Sequence, residues 1–345
     1  MDTPNSESRD AGAVTFSFIA PVHNETEVLP SFYSQLRAEA DKLGEPYEVI
    51  FVDDGSTDDS LEVVQRLRED NDRVKYVSFS RNFGHQEAIT AGYDYASGAA
   101  VITLDADGQH PPDVIGELVA KWRQGYEVVY TVKANTADVS LPRRLAVKAV
   151  YRLISWMSGM SVADQADFRL LDRKVVRAVR RAREKCRFLR GLVRWMGFRQ
   201  TAVEYEVGPR LGGEPSYTLR KLARMGSAGL FNFSVAPLRL ISLAGGSMAA
   251  VALLYALVAL IVWPFAGGAL VANLVMLAIG LTGLQLTAVG VMGEYVGRIY
   301  EEAKDRPIYV VREAVGFESE ETAPAERAPT PQERKPEPSR IRLFT

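Results

Sequence analysis

Short apolar runs and longer amphipathic ones alternate along the first third of the chain. The runs VTFSFIAPV (14–22), YEVIFV (47–52), 73–80 and 99–107 are rich in β-branched and aromatic residues. Each is bounded by Asp, Asn, Gly or Pro, so each predicts a strand. Apolar residues at helical spacing predict helices over about 27–43 and 84–97, and another after the acidic turn at 53–59, with Ser56 or Thr57 placed to cap it. Strands separated by helices of this length imply a mostly parallel α/β sheet with helices on both faces. Further along, ADFRLL (166–171) predicts one more short strand.

A different pattern takes over near the end. From Leu240 to Gly293 no residue is charged. At about 20 residues per span this predicts two transmembrane helices. The break falls at Trp263-Pro264-Phe265-Ala266-Gly267-Gly268, where an aromatic pair suits the interface and Pro and Gly suit a turn. Arg239 lies at the outer end of the first span, just before the uncharged run, and Arg298, Lys304 and Arg306 follow the second. The positive-inside bias therefore places both flanks, both termini and the N-terminal α/β part in the cytoplasm of an inner-membrane protein. Residues 1–12 are polar and acidic and predict no signal sequence.

The resulting division is a disordered N-terminus (1–13), an α/β domain (14–217), a juxtamembrane amphipathic segment (218–237), spans at 238–264 and 267–293, a cytoplasmic segment (294–314) and a Pro-, Glu- and Ala-rich disordered tail (315–345). Two basic stretches, 142–160 and 218–237, suit a lipid surface, where each basic residue contributes on the order of 1 kcal/mol. Composition changes little in this picture. The formal charge of −2 gives no reason to expect nucleic acid, and the lone Cys186 excludes an internal disulfide.

Acids gather where the predicted strands end. Glu25 follows the first, Asp53 and Asp54 the second, and Asp105 and Asp107 the fourth. Ligands of open α/β sheets bind at this carboxyl edge. No glycine occurs between Gly12 and Gly44, which excludes the Gly-x-Gly-x-x-Gly turn of a dinucleotide-binding domain. Asp105 and Asp107, two apart and so on one side of the predicted strand, form with Gln109 a set of hard oxygen ligands for Mg²⁺ or Mn²⁺ shared with substrate phosphates. A nucleotide carrying that metal would relieve the mutual repulsion of the acids, with Glu25 and Asp54 accepting hydrogen bonds from base and ribose. Pro111 and Pro112 then stop the strand and set the next helical turn.

The motifs PVHNE, VDDGSTDDS, SRNFGHQEAITAGYDYASG, LDADGQHPP, DFRLLDRKVV, RFLRGLVRWMGF and GEYVGRIYEEAKDRPIYVV together resemble the family 2 glycosyltransferases that charge a polyisoprenyl phosphate, the bactoprenol glucosyltransferase and dolichol-phosphate mannosyltransferase group. The resemblance runs from about Phe16 to Val311. It implies a GT-A fold, a nucleotide-sugar donor and a lipid-phosphate acceptor. In the family, residues matching Pro21, His23, Glu25, Val52 and Asp54 surround the nucleotide, and those matching Asp105, Asp107 and Gln109 surround the metal. The family's Gly-Glu-Ser-Lys-Tyr run reads Gly213-Glu214-Pro215-Ser216-Tyr217 here, without the lysine. Arg210 upstream remains as a diphosphate contact.

The expected reaction is a metal-dependent, inverting transfer of a hexose, from UDP-glucose or a similar donor, to a membrane polyisoprenyl phosphate. Asp167 is the candidate base or orienting group, with Asp107 beside it in the catalytic set. Arg143, Arg144 and Arg169 are candidates for the acceptor phosphate, since arginine suits bidentate contact. A homo-oligomer is the expected assembly. The three histidines lack metal-site spacing, but His23 and His110 flank the expected pocket and can either stack or hydrogen-bond there or stand in solvated loops. Two rivals stand beside this reading. A processive polysaccharide synthase would carry Gln-x-x-Arg-Trp, where this chain has Gly191-Leu192-Val193-Arg194-Trp195. A non-catalytic membrane-tethered nucleotide binder would not need the Asp-x-Asp-x-Gln set.

Overall fold

The computed structural model describes residues 14–108, 110–133, 165–185, 187–205, 236–266 and 269–317. Gln109, Arg143, Arg144, Cys186, Arg210, the stretch 142–160, nearly all of 218–237, and both termini lie outside them.

The N-terminal half alternates as its periodicity predicts: β1 (Phe16–Val22), α1 (Leu29–Lys42), β2 (Tyr47–Asp53), α2 (Ser60–Asp70), β3 (Val74–Phe79), α3 (His85–Tyr95) and β4 (Ala100–Thr103). A 3-10 turn at Pro112–Val114 leads into α4 (Ile115–Arg123), and β5 (Val128–Lys133) follows. Beyond residue 164 come β6 (Gln165–Asp172), α5 (Arg173–Arg181), α6 (Leu189–Trp195) and β7 (Gln200–Tyr205). Asp172 caps α5 by accepting the Lys174 N–H at 3.0 Å. Two long helices, α7 (Ala236–Ala266) and α8 (Ala269–Ala303), precede a last strand, β8 (Val311–Val315).

The strands form one sheet in the order β7-β5-β6-β4-β1-β2-β3-β8. β4, β1, β2 and β3 are mutually parallel, while β6 runs antiparallel between β4 and β5, and β8 antiparallel along β3. β1 is buried along its whole length because both faces are covered. Phe16, Phe18, Ala20 and Val22 pack with α1, α2 and α4, and Ile19 turns to the other side to pack with α3, α5 and α6. The result is a three-layer α/β/α sandwich.

β4 is shorter than its sequence predicts. Leu104 N–H still donates to Ile19 O at 3.0 Å, but the next amide, Asp105 N–H, is taken by His110 Nδ1 at 2.9 Å and the chain leaves the sheet. Asp105 and Asp107 therefore sit in a turn, and strand alternation does not set their directions. Ser56 and Thr57 also differ from expectation. Neither caps α2, because both bond across to the loop after β1.

α7 and α8 are long and apolar enough to cross a membrane, and they pack against each other. Their apolar side chains face outward, with Leu243 at 71% and Leu286 at 67% exposure, unlike a hairpin buried in a soluble core. α7 runs through Pro264 to Ala266, so residues 267 and 268 alone separate the two helices. α8 continues past Gly293, where Glu294–Arg298 and Glu301–Lys304 pairs support the additional turns. The chain then returns to the sheet. Tyr309 is buried, its ring stacks on Phe79 at 4.9 Å, and its hydroxyl donates to Asp94 at 2.7 Å. β8 follows as the edge strand, a role the sequence reading did not give this segment.

Candidate active site

The carboxyl ends of β1 and β2 are stitched together. Asn24, at a positive φ of 58°, accepts the Thr57 N–H at 2.8 Å on Oδ1, and its own N–H donates to Ser56 Oγ at 3.2 Å. Glu25 N–H donates to Ser60 Oγ at 2.8 Å, and the Thr26 hydroxyl to Asp58 at 2.7 Å. Asp53 accepts from Ser56 N–H (2.9 Å) and the Ser78 hydroxyl (2.8 Å). Asp54 accepts from Phe83 N–H at 2.6 Å and from Gly84 N–H on both oxygens, at 3.0 and 3.2 Å. Burial pushes the Asp54 carboxyl up, against those donors. Asp54 thus fastens the loop before α3. Gly55 lies so close to the backbone of Arg81 and Asn82 that a Cβ would stand 2.4 Å from Arg81 C. His23 bonds Asn82 across the same gap at 3.1 Å.

The register of β4 and β6 builds the second half of the site. Thr103 pairs with Arg169 at the end of an antiparallel ladder, so Asp105, two residues after the one, and Asp167, two residues before the other, both lie off that end. His85, the first residue of α3, stands between them. Its Nε2 is 3.5 Å from Asp105 Oδ1 and 3.6 Å from Asp167 Oδ2. Burial disfavours the imidazolium, but the Asp167 and Asp105 carboxylates outweigh it and raise the His85 pKa to about 9.

Asp167 is held by cations on several sides. Arg190 grips it in bidentate fashion, Nε to Oδ1 at 2.9 Å and Nη2 to Oδ2 at 2.6 Å, and Arg169 Nη2 adds a contact at 3.2 Å. Burial alone would raise this carboxyl. The Arg190 guanidinium, His85 and Arg169 more than reverse that and hold it well below the usual carboxylate range. Asp167 is therefore a weak proton acceptor.

Asp105 Oδ1 is buried and, apart from His85 at 3.5 Å, meets no hydrogen-bond partner among the described residues. An orphaned carboxylate oxygen beside a second acid fits a hard divalent cation. Among the described residues no three His, Cys, Asp or Glu side chains gather to hold an ion, so such a site would be completed by substrate oxygens and water.

Of the residues singled out in the sequence, the structure brings Asp105, Asp107 and Asp167 to one edge beside the loops of His23, Glu25 and Asp54. Pro21 and Val52 lie opposite each other in the β1–β2 ladder beneath them. Arg169 needs correction. At 2% exposure its guanidinium is committed to Ala166 O and Asp167, so it supports that acid from below and is closed to a lipid phosphate. His110 does both things its position allowed, accepting the Asp105 N–H and stacking on Phe168 at 5.3 Å. His85 and Arg190 were missed as site residues. For His85 the available signal was a basic residue opening a helix directly after a strand-end loop, opposite acids at neighbouring strand ends; Arg190, inside a helix that follows another helix, carried no such signal.

Residues 17–179 match Glycosyl transferase family 2. An uncharacterized glycosyltransferase of Bacillus subtilis is 43% identical over 309 residues, covering 89% of this chain and 96% of that protein. The bactoprenol glucosyl transferase of Shigella phage SfV is 35% identical over 301 residues (86% and 97%), and a prophage bactoprenol glucosyl transferase homolog of Escherichia coli 32% over 299 (86% and 98%). The crystal structure of mannosyl-3-phosphoglycerate synthase from Rubrobacter xylanophilus superposes with a TM-score of 0.46 at 16% identity, over 67% of this chain and 75% of that one, too distant to carry weight. With relatives this similar along nearly their whole length, and a mostly parallel sheet bearing acids at its carboxyl edge, the chain is a glycosyltransferase and belongs to glycosyl transferase family 2.

Proposed function

We propose that the protein transfers a hexose from a nucleoside-diphosphate sugar to a polyisoprenyl phosphate in the membrane, with inversion at the anomeric carbon. The observation that carries this is the meeting of Asp105, with its orphaned buried oxygen, and the cation-clamped Asp167 at the edge of a sheet whose chain also carries two membrane-length helices. Relatives named for bactoprenol glucosyl transfer support the acceptor and the sugar.

Pro21 and Val52 at the strand ends, with the loops of His23, Glu25 and Asp54 above them, form the nucleotide side, and Arg210 is a further contact for the diphosphate. Asp105, Asp107 and Gln109 would hold Mg²⁺ or Mn²⁺, which when bound offsets the charge of the departing diphosphate. The acceptor phosphate oxygen forms a bond to the anomeric carbon as the bond to the diphosphate breaks, and Arg143 and Arg144 receive the acceptor phosphate. A phosphate is already largely ionised near neutral pH, so no base is required. Asp167, a poor proton acceptor, orients the sugar. Both outer ends of the hairpin lie in the cytoplasm with the catalytic part, which the return of the chain from α8 to β8 supports. Anchoring confines enzyme and acceptor to one plane and raises their effective concentration.

The test is transfer to undecaprenyl phosphate from a panel of labelled UDP- and GDP-sugars, with Mg²⁺, Mn²⁺ or EDTA. One hexose donor should label the lipid in a metal-dependent manner, and Asp107→Asn should abolish the labelling. Undiminished transfer by that variant refutes the metal assignment, and labelling of soluble acceptors alone refutes the lipid one.

A further inference from the structure

Arg190 lies more than twenty residues from Asp167 in sequence, yet no other group holds that acid with two bonds among the described residues. A guanidinium gripping a carboxylate through two parallel bonds fixes its plane as well as its place. The segment that delivers Arg190 is itself fastened. On the α3 side, Arg183 pairs with Asp94 at 2.7 Å, Arg187 donates to the Thr90 hydroxyl at 2.8 Å, and Leu189 N–H donates to the Gln86 side chain at 3.1 Å. On its outer side, Lys185 N–H donates to Glu302 at 2.6 Å, and the Lys185 ammonium reaches Asp305 and Arg306 O at the end of α8. Arg190 thus stands at the tip of a strut braced between α3 and the end of the second long helix.

We propose that Arg190 is a positioning residue for the transfer reaction: its bidentate grip fixes the Asp167 carboxylate, ionised and in one orientation, against the sugar. It rests on the reading of Asp167 given above as a group that meets the substrate. The alternative, an ion pair serving only the fold, predicts a different set of measurements.

The full-length protein in lipid nanodiscs, assayed with the active donor and undecaprenyl phosphate, separates them. Arg190→Gln should lower kcat on the order of 100-fold, the scale of a misplaced reacting group, while affinity for that donor's nucleoside diphosphate stays within about twofold. Arg190→Lys, which keeps the charge without the fork, should fall between, and added guanidinium should restore part of the Arg190→Gln activity. Wild-type kcat in Arg190→Gln beside an inactive Asp167→Asn overturns the role of Arg190 and leaves the reading of Asp167 standing. A fully active Asp167→Asn overturns that reading itself. Loss of nucleoside-diphosphate affinity in step with kcat overturns the proposal in favour of a structural ion pair. If Arg190→Gln does not fold, Arg190→Lys decides, and wild-type kcat there overturns the proposal.

Discussion

Gly55→Ala isolates what holds the donor-side loops together. The added Cβ would stand 2.4 Å from Arg81 C, 2.7 Å from Asn82 N and 2.9 Å from Arg81 Cα, all backbone atoms that no side-chain rotation can move. The residue also has φ +63°, and a side chain in the left-handed region costs about 1–2 kcal/mol. Overpacking against an anchored backbone adds about 1–3 kcal/mol, giving a destabilisation of about 2–5 kcal/mol. Two controls divide that sum. Gly44→Ala carries the same backbone strain at φ +69° with nothing within 4 Å, so about 1–2 kcal/mol is expected. Gly116→Ala, on the exposed face of α4 and also in open space, should stabilise by roughly 0.5–1 kcal/mol. Thermal melting in detergent should rank the variants Gly116→Ala, wild type, Gly44→Ala, Gly55→Ala. Affinity for the nucleoside diphosphate of the active donor, measured by calorimetry, should fall in the last alone, because the displaced loop bears the amides that bind Asp54 and leads into His85. Equal melting of Gly55→Ala and Gly44→Ala, with unchanged affinity for that diphosphate, refutes the picture of a rigid two-loop shelf.

Burial pushes the Glu48 carboxyl up, but the Lys75 ammonium at 2.7 Å and donors from Ser17 and Ser97 outweigh it and hold it below the usual range. A folded-state carboxyl more acidic than the unfolded one contributes stability above pH 4.5 that is lost as pH falls through the folded value, so melting should drop in that acid window and the drop should flatten in Glu48→Gln. An equal acid slope in both proteins disproves it. Tyr309→Phe removes a bond to a buried carboxylate that Arg183 still pairs, at a cost of about 1.5–3 kcal/mol. Hydrogen exchange should then quicken in β8 and at Ser80, and unchanged protection there means that the strand is held by its ladder with β3 alone.

The alternation of apolar and polar positions by itself determined the order of strands and helices from β1 to β4, the placement of acids after three of those strands, and the two apolar helices near the C-terminus. These follow from local chemistry, since side-chain period, turn residues and uncharged length are all properties of consecutive residues. The tertiary structure decided what depends on partners. Val311–Val315 is a strand because the edge of β3 is open to it, and Tyr309 fastens it there. Asp105 leaves the sheet because His110 takes its amide, and Arg169 points inward because the Asp167 carboxylate and the Ala166 carbonyl accept its donors. His85, Asp105, Asp167 and Arg190 come from four separate segments. No spacing within the chain records their meeting, because the register of β4 on β6 and the strut along α3 create it.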